Sequence, residues 1–163
     1  MDIRYEQPGD YEAIYALNKR AFEPMAFSDG SEADRVDKLR ADGDLKHSLV
    51  ALERDRIVGH IAFSPVFISQ TPHGWFALGP VCVSPEFQKT GIGSALINKG
   101  LDILKKQNAP GCVLIGNPVY YSRFGFVGDG RLSYRQLADE YVQWLAFHDV
   151  KPAGQLKFSL GLE

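Results

Sequence analysis

The stretch Gln88-Lys89-Thr90-Gly91-Ile92-Gly93-Ser94, here called the glycine turn, follows an apolar run from Trp75 to Val83. It opens a segment with helical periodicity that is predicted to run from about Thr90 to about Lys106. The first N–H groups of a helix have no partner within the helix and carry partial positive charge. Glycine lets the backbone approach a phosphate closely. A strand, a glycine turn and a helix in this order therefore predict a phosphate-binding site at residues 88–94.

Two common phosphate-binding motifs do not account for the glycine turn. The dinucleotide fingerprint needs Gly or Ala where this chain has Leu96, because the helix must pack closely on the strand. The nucleoside-triphosphate signature needs a Gly-Lys-Ser/Thr sequence, and the chain has none. The ligand of the turn is therefore predicted to be a different phosphate compound.

The segments around the turn predict a mixed α/β sheet, antiparallel in its first half and continued by a βαβ unit. Two helices are expected near the N-terminus, one ending near Phe22 and one over Glu32 to Arg40. The predicted strands that complete the sheet are Ile3 to Glu6, Ser48 to Glu53, Ile57 to Ser69, Trp75 to Val83 and Cys112 to Ile115.

Irregular features are expected before and after the βαβ unit. Gly79-Pro80 interrupts the strand before the turn, which predicts a bulge or a splayed strand. Asn117 opens a short helical turn, and a further strand is expected to begin at Phe126. Two late strands, Tyr141 to Phe147 and Leu156 to Leu160, are expected to extend the sheet or to form the edge of a homodimer.

Length and composition restrict the protein class. The 163 residues predict a single domain over residues 1–163. The net charge of −2, without a basic cluster, argues against nucleic-acid binding. No apolar run approaches the length of a membrane span, and the N-terminus lacks the apolar core of a signal peptide. Cys82 and Cys112 lie in apolar strands with no disulfide pattern, so we expect a cytoplasmic protein, and we predict no metal site.

The turn and two further segments resemble the GCN5-related N-acetyltransferase (GNAT) superfamily. Residues 88–93 match its acyl-CoA motif, Gln/Arg-x-x-Gly-x-Gly/Ala. Residues 78–85, Leu-Gly-Pro-Val-Cys-Val-Ser-Pro, are similar to its fourth strand. Residues 121–126, Tyr-Ser-Arg-Phe-Gly-Phe, are similar to its Tyr-x-x-x-Gly-Phe element. The chain looks most like a subgroup of predicted acetyltransferases whose substrates are mostly unassigned.

The resemblance implies an N-acetyltransferase that uses acetyl-CoA and a primary amine, on a small molecule or a peptide, by direct attack in a ternary complex. It also implies splayed central strands, with the pantetheine arm pairing with the backbone of Val81 and Val83. The pyrophosphate is expected on the N–H groups of the glycine turn. The N–H group of Val81 or Cys82 is expected to polarise the thioester carbonyl. Asn117 and Ser122 are further candidate cofactor contacts.

Acetyl transfer needs a proton donor for the thiolate and a proton acceptor for the amine. By resemblance the donor is Tyr121, with Tyr120 as the alternative, and a tyrosine keeps its proton at pH 7 because its ordinary pKa is about 10. The strand from Trp75 to Val83 contains no carboxylate, which argues against a Glu base on it. We expect a water chain to accept the amine proton. The alternatives are two histidines, His60 and His73, and two acidic residues of the loop between the first helices, Glu23 and Asp29.

Two alternatives concern the type of activity. A thiol near a thioester suggests an acyl-enzyme on Cys82, but its apolar surroundings favour core packing. A non-catalytic acyl-CoA sensor on the same fold is the alternative function, and the presence of Tyr121 favours the enzyme, because binding alone needs no acid. Transfer to oxygen stays open.

Overall fold

The computed structural model describes residues 1–163 and contains eight strands and four α-helices. The strands are β1 (Asp2–Tyr5), β2 (His47–Glu53), β3 (Arg56–Ile68), β4 (Phe76–Val83), β5 (Gly111–Ile115), β6 (Leu132–Ser133), β7 (Val142–Ala146) and β8 (Gly154–Phe158). The helices are α1 (Tyr11–Phe22), α2 (Glu32–Ala41), α3 (Ile92–Lys106) and α4 (Pro118–Tyr121). No helix is both long enough and apolar enough to cross a bilayer.

The strands form a mixed sheet in the order β1-β2-β3-β4-β5-β7. Strands β1 to β4 pair antiparallel in succession, and β5 pairs parallel with β4 after the crossover through α3. Strand β7 pairs antiparallel with β5, and β8 pairs antiparallel with the end of β3, where β6 joins it. The predicted mixed sheet with a βαβ unit is thus confirmed. Both late strands extend the sheet, and a homodimer stays a prediction.

The predicted irregularity in β4 lies at Gly79-Pro80. Ile61 of β3 faces Val81, but Phe63 faces Leu78, so β4 has one extra residue there. Because of this bulge, Leu78 and Val81 both pack against the same core cluster as α3, although they are three residues apart. The bulge lies just beyond the last β4 residue that pairs with β5.

Helices cover both faces of the sheet. The apolar stripe of α3, including Leu96, packs on one face in the largest core cluster. On the other face, Ile14 of α1 and Val36 of α2 pack on Val50, and Leu17 packs on Cys82. The two neighbours Val50 and Ala51 belong to opposite clusters, as the alternation of side chains along a strand requires.

Three sequence-based expectations were wrong in detail. Helix α3 begins at Ile92 rather than Thr90, because Lys89 and Gly91 have left-handed φ angles of 64° and 90°. The strand expected from Phe126 is only a single bridge between Val127 and Trp144. Strand β6, which is two residues long, was not predicted, because so short a segment has no periodicity to detect.

Candidate active site

The glycine turn presents a row of backbone donors. Lys89 and Gly91 adopt left-handed φ angles, and the first backbone bond of α3 runs from the N–H of Ala95 to the carbonyl of Gly91 at 3.0 Å. The N–H groups of residues 89–94 have no acceptor within the protein. These donors lie at the positive end of the α3 dipole. The arrangement suits a phosphate or pyrophosphate group.

Side chains hold the turn beside the end of β4. The Gln88 amide donates from Nε2 to the carbonyl oxygen of Val83 at 3.1 Å, and the Thr90 hydroxyl donates to the carbonyl of Phe87. A Cβ atom on Gly93 would lie 3.3 Å from the Tyr120 hydroxyl oxygen. The turn is therefore closely packed on its inner side, while Gln88 and Lys89 are exposed on its outer side.

The strands beside the turn separate and leave one edge of β4 open. Strands β4 and β5 pair only at Phe76 with Cys112 and at Ala77 with Val113. The N–H of Ser84 donates to Val58 of β3 at 2.7 Å. Backbone groups alternate in direction along a strand, so those of Cys82 face β3, whereas those of Val81 and Val83 face the gap. The Val83 carbonyl already accepts from Gln88. The gap therefore offers the backbone groups of Val81 and the N–H of Val83 to an extended ligand.

Tyr121 lies at the β5 side of this gap. Asn117 caps α4, accepting from the N–H of Val119 at 2.9 Å, and the helix brings the Tyr121 ring over Gly116. A Cβ atom on Gly116 would lie 2.7 Å from that ring, so glycine is required for this contact. Burial, followed by the neighbouring Tyr120 and Cys112, raises the pKa of Tyr121 to about 12. The hydroxyl therefore keeps its proton at neutral pH.

Tyr120 has a different environment from Tyr121. Its hydroxyl lies beside Gly93 of the glycine turn, and the Arg123 guanidinium lies 4.5 Å from its ring centroid. The rings of Tyr120 and Tyr121 meet edge to face with centroids 5.0 Å apart. Tyr120 therefore lies against the glycine turn, whereas Tyr121 packs over Gly116 at the end of β5.

Asn117 and Ser122 both make local hydrogen bonds. The Asn117 side chain is the α4 cap, which leaves its amide nitrogen without a protein partner. The Ser122 hydroxyl donates to the carbonyl of Val119 at 3.1 Å. Both residues are exposed at the end of the gap. Each keeps one polar function free for a ligand.

Cys82 has a histidine neighbour that the sequence did not reveal. His60 of β3 lies directly opposite Cys82 in the β3–β4 ladder, so both side chains project from the same face of the sheet. The ring nitrogens of His60 are engaged elsewhere, by Ser48 at 2.8 Å and Asn18 at 3.3 Å. Burial raises the pKa of Cys82 to about 12 and lowers that of His60 to about 4. Both groups are therefore neutral at pH 7, which favours core packing for Cys82.

The structure places the candidate bases in different environments, all outside the gap between β4 and β5. His60 is fully buried, and His73 lies exposed in a hairpin, where its ring is 6.1 Å from that of Phe67. The Asp29 carboxylate accepts from the N–H of Ser31, and its side chain is 67% exposed. Glu23 instead lines a cleft between α1 and α2. None of these groups lies in the β4–β5 gap itself.

The cleft between α1 and α2 has a volume of about 330 Å³. Of its lining, the sequence pointed only to Glu23 in the loop between the two helices, and Asn18 and Glu32 were missed. Its polar lining consists of Asn18, Lys19, Glu23, Ser28, Gly30 and Glu32. Asn18 lies on the apolar stripe of α1 with Ile14, Leu17 and Ala21. A polar residue within an apolar stripe is the signal that could have identified it.

Known proteins are similar to this chain in sequence and in fold. A model of the acetyltransferase (GNAT) family matches residues 11–126. An Escherichia coli K12 protein, "Uncharacterized N-acetyltransferase YhbS", is 38% identical over 127 residues, which cover 77% of this chain and 73% of that protein. A crystal structure of a GNAT family acetyltransferase from Brucella melitensis in complex with acetyl-CoA has a TM-score of 0.87 and 42% identity, covering 99% of this chain and 97% of its own.

The crystal structure of Escherichia coli YhbS in complex with CoA gives a TM-score of 0.89 with 30% identity, over 99% of this chain and 91% of that one. The two structural likenesses extend over nearly the whole chain. They confirm the predicted fold and the predicted family. The chain belongs to the GNAT family of acetyltransferases.

Proposed function

We propose that this protein transfers an acetyl group from acetyl-CoA to a primary amine of a small molecule or peptide, by direct attack in a ternary complex. The observation that carries the proposal is the row of free N–H groups at residues 89–94 beside the open edge of β4. The relatives crystallised with acetyl-CoA and with CoA support the choice of donor. The proposal treats residues 1–163 as one domain, and the two free cysteines agree with a cytoplasmic location.

The glycine turn and the strand gap are proposed to bind different parts of the donor. The pyrophosphate accepts hydrogen bonds from the turn, and the pantetheine arm pairs with the backbone groups of Val81 and with the N–H of Val83, which face the gap. Asn117 and Ser122 lie at the end of the gap and are assigned to the arm. The residues proposed to contact the donor are Val81, Val83, Gln88, Lys89, Thr90, Gly91, Ile92, Gly93, Ser94, Asn117 and Ser122. Cys82, which the sequence also suggested, is not assigned to the donor, because its backbone groups face β3 and its side chain packs against α1.

The residues at the gap supply what the transfer needs. The amine nitrogen forms a bond to the thioester carbonyl carbon, and the N–H of Val81 donates to the carbonyl oxygen as it becomes negative. We favour Val81 over Cys82 because its N–H faces the gap. When the carbon–sulfur bond breaks, Tyr121 gives its proton to the leaving thiolate. Water accepts the proton that the amine loses.

An acyl-enzyme is a poor alternative for this chain. Burial raises the pKa of both Cys82 and Cys112, so neither thiol supplies a thiolate at neutral pH. Direct attack predicts that mass spectrometry finds no covalent acetyl adduct after the protein is mixed with acetyl-CoA alone. If an acetyl adduct forms on Cys82 and an amine then removes the acetyl group, the reaction has two steps and direct attack is contradicted.

Thermal unfolding with added ligands tests the donor assignment. Acetyl-CoA at 100 times its dissociation constant should stabilise the protein by about 2.7 kcal/mol. NAD and ATP at the same concentration serve as controls and should stabilise it less. Release of CoA in the presence of a panel of amines then tests the reaction. A shift with NAD or ATP but not with acetyl-CoA contradicts the donor, whereas binding without any CoA release favours the sensor.

A further inference from the structure

The cleft between α1, the loop of residues 23–31 and α2 is rich in hydrogen-bond acceptors. Glu23 and Glu32 contribute carboxylates, and Asn18 contributes a side-chain amide. The one cationic group of the lining, Lys19, donates from Nζ to the carbonyl of Gly30 at 3.2 Å and lies 5.8 Å from the ring centroid of Tyr15. The cleft therefore offers unmatched negative charge to a ligand with N–H donors.

Asn18 has an acceptor atom without a partner. Its side chain is fully buried, and its Nδ2 donates to the carbonyl of Ile14 at 3.0 Å and to Nδ1 of His60 at 3.3 Å. Its Oδ1 has no hydrogen-bond partner in the protein. Because Nδ2 points towards His60, Oδ1 points away from that ring, and Asn18 lines the cleft. A buried amide oxygen without a hydrogen-bond donor is unusual, and a ligand with an N–H group would supply the missing donor.

Glu32 is held in a defined orientation on the same side of the sheet as Cys82. The Ser28 hydroxyl donates to its Oε1 at 2.7 Å, which leaves Oε2 free. Phe22 lines the same cleft as Glu32 and also packs on the cluster of Leu17, Ala21 and Cys82. Cys82 lies between the two gap-facing residues of β4. The cleft therefore adjoins the place where the thioester is proposed to lie.

We propose that this cleft binds the ammonium group of the acceptor, with Asn18 Oδ1 and Glu32 Oε2 as its hydrogen-bond partners. The acceptor is then an aliphatic primary amine that carries no carboxylate, because Glu23 and Glu32 repel a second negative group. An ammonium group has three donors, which matches the acceptors of the cleft. This inference rests on the proposed function, whose donor assignment is tested separately by acetyl-CoA binding.

Amines of matched length test the substrate class on the wild-type protein. Butylamine and putrescine carry no carboxylate, whereas γ-aminobutyrate adds one to a chain of similar length. We expect kcat/KM for butylamine and putrescine to exceed that for γ-aminobutyrate by about tenfold or more, since the added carboxylate is repelled by Glu23 and Glu32. Equal or faster use of γ-aminobutyrate overturns the proposal.

The variant Glu32→Gln tests the residue. Glutamine can still accept from Ser28, so folding should be preserved, and the melting temperature checks this. The KM for butylamine should rise about tenfold while the KM for acetyl-CoA stays unchanged, and the preference over γ-aminobutyrate should narrow. Glu12→Gln, which removes an equal charge from an exposed site on α1, is the matched control. Unchanged amine kinetics in Glu32→Gln contradicts the proposal.

Calorimetric titration with putrescine covers the case in which no amine is acetylated. The protein is first saturated with CoA, so that a failure of donor binding is seen separately. Wild-type protein and Glu12→Gln should bind putrescine, and Glu32→Gln should bind it about tenfold more weakly. Absence of binding to the wild type, or equal binding to Glu32→Gln, overturns the cleft as an ammonium site even if acetyl-CoA binds.

Discussion

Tyr120 and Tyr121 are neighbours in the chain, but α4 directs their side chains to different places. Successive residues of a helix point about 100° apart. The Tyr120 hydroxyl therefore lies beside Gly93 of the turn, while the Tyr121 ring covers Gly116 near Cys112. This separation agrees with Tyr121 as the acid of the proposed reaction, because Tyr120 lies against the turn that is proposed to bind the pyrophosphate.

Replacing Tyr121 by phenylalanine should remove the proton donor and leave the packing intact. We expect kcat to fall about 100-fold or more, the usual contribution of a general acid, with the KM for acetyl-CoA nearly unchanged. Tyr120→Phe is the matched control and should keep most of its kcat. Steady-state rates of CoA release measure both variants. Wild-type turnover in Tyr121→Phe removes this residue from the mechanism.

The pH dependence of kcat provides a second measurement at Tyr121. Its pKa is raised to about 12, so the hydroxyl stays protonated through the range in which the protein can be assayed. We therefore expect no loss of kcat below about pH 10 from deprotonation of an ordinary tyrosine. Tyr121→Phe should have a pH profile of the same shape at a lower rate. An alkaline loss of kcat that disappears in the variant contradicts the raised pKa.

At the scale of elements, two glycines set the distance between α3 and the sheet, and so the position of the glycine turn. A Cβ atom on Gly59 of β3 would lie 2.9 Å from side-chain atoms of Ile92 and Leu96. A Cβ atom on Gly100 of α3 would lie 2.3 Å from the ring of Phe63. Side chains at either site must push the helix or its neighbours aside.

Gly100→Val should lower the free energy of unfolding by about 2 kcal/mol or more, because the added atoms meet the buried Phe63 ring. Gly9→Val is the control, since nothing lies within 4 Å of its Cβ position. Urea unfolding measures both. The double variant Gly100→Val/Phe63→Leu should be about 1 kcal/mol more stable than the sum of the two single effects predicts, because the smaller side chain makes room for valine. Strictly additive effects indicate that the two residues do not compete for space.

At the scale of the whole molecule, a buried polar network joins five elements. The Glu6 carboxylate, just after β1, accepts from Arg40 of α2 at 2.8 Å and from Ser48 of β2 at 2.6 Å. Ser48 also pairs with His60 of β3, which contacts Asn18 of α1. Burial alone acts to raise the pKa of Glu6, but the hydrogen bonds from Arg40 and Ser48 lower it below its usual value. The network connects the sheet to the wall of the cleft.

Stability should fall with acid in a window set by His60. Its pKa falls from 6.5 to about 4 on burial, so the unfolded chain binds a proton that the folded protein excludes. The free energy of unfolding should therefore decrease by about 3 kcal/mol between pH 7 and pH 4 through this group. Carboxylates with lowered pKa, such as Glu6, act mainly below this window.

The variant His60→Gln isolates this effect. It should be less stable than the wild type at pH 7, with a flatter decline of stability from pH 6.5 to pH 4, because the titrating group is absent. His73→Gln, at an exposed hairpin position, should keep the wild-type slope. Urea unfolding at several pH values measures the slopes. If the free energy of unfolding of His60→Gln falls with pH as steeply as that of the wild type, groups other than His60 cause the loss of stability in acid.

Local patterns in the sequence were sufficient for the fold class and for the backbone geometry of the proposed donor site. Residues 88–94 predicted the anion cradle because a turn and a helix N-terminus are built from neighbouring residues. Gly79-Pro80 predicted the bulge for the same reason, and the Tyr121 to Phe126 segment carried the family resemblance. These features depend on contacts between residues close in the chain.

Only the tertiary structure decided the features that join distant segments. The pairing of His60 with Cys82, the free oxygen of Asn18 and the orientation of Glu32 depend on how α1 and α2 pack on the sheet. A single sequence does not encode such neighbours as a local pattern, because they are set by packing between elements far apart in the chain. The proposed donor site therefore rests on local patterns that the sequence displays, whereas the proposed acceptor site required the folded chain.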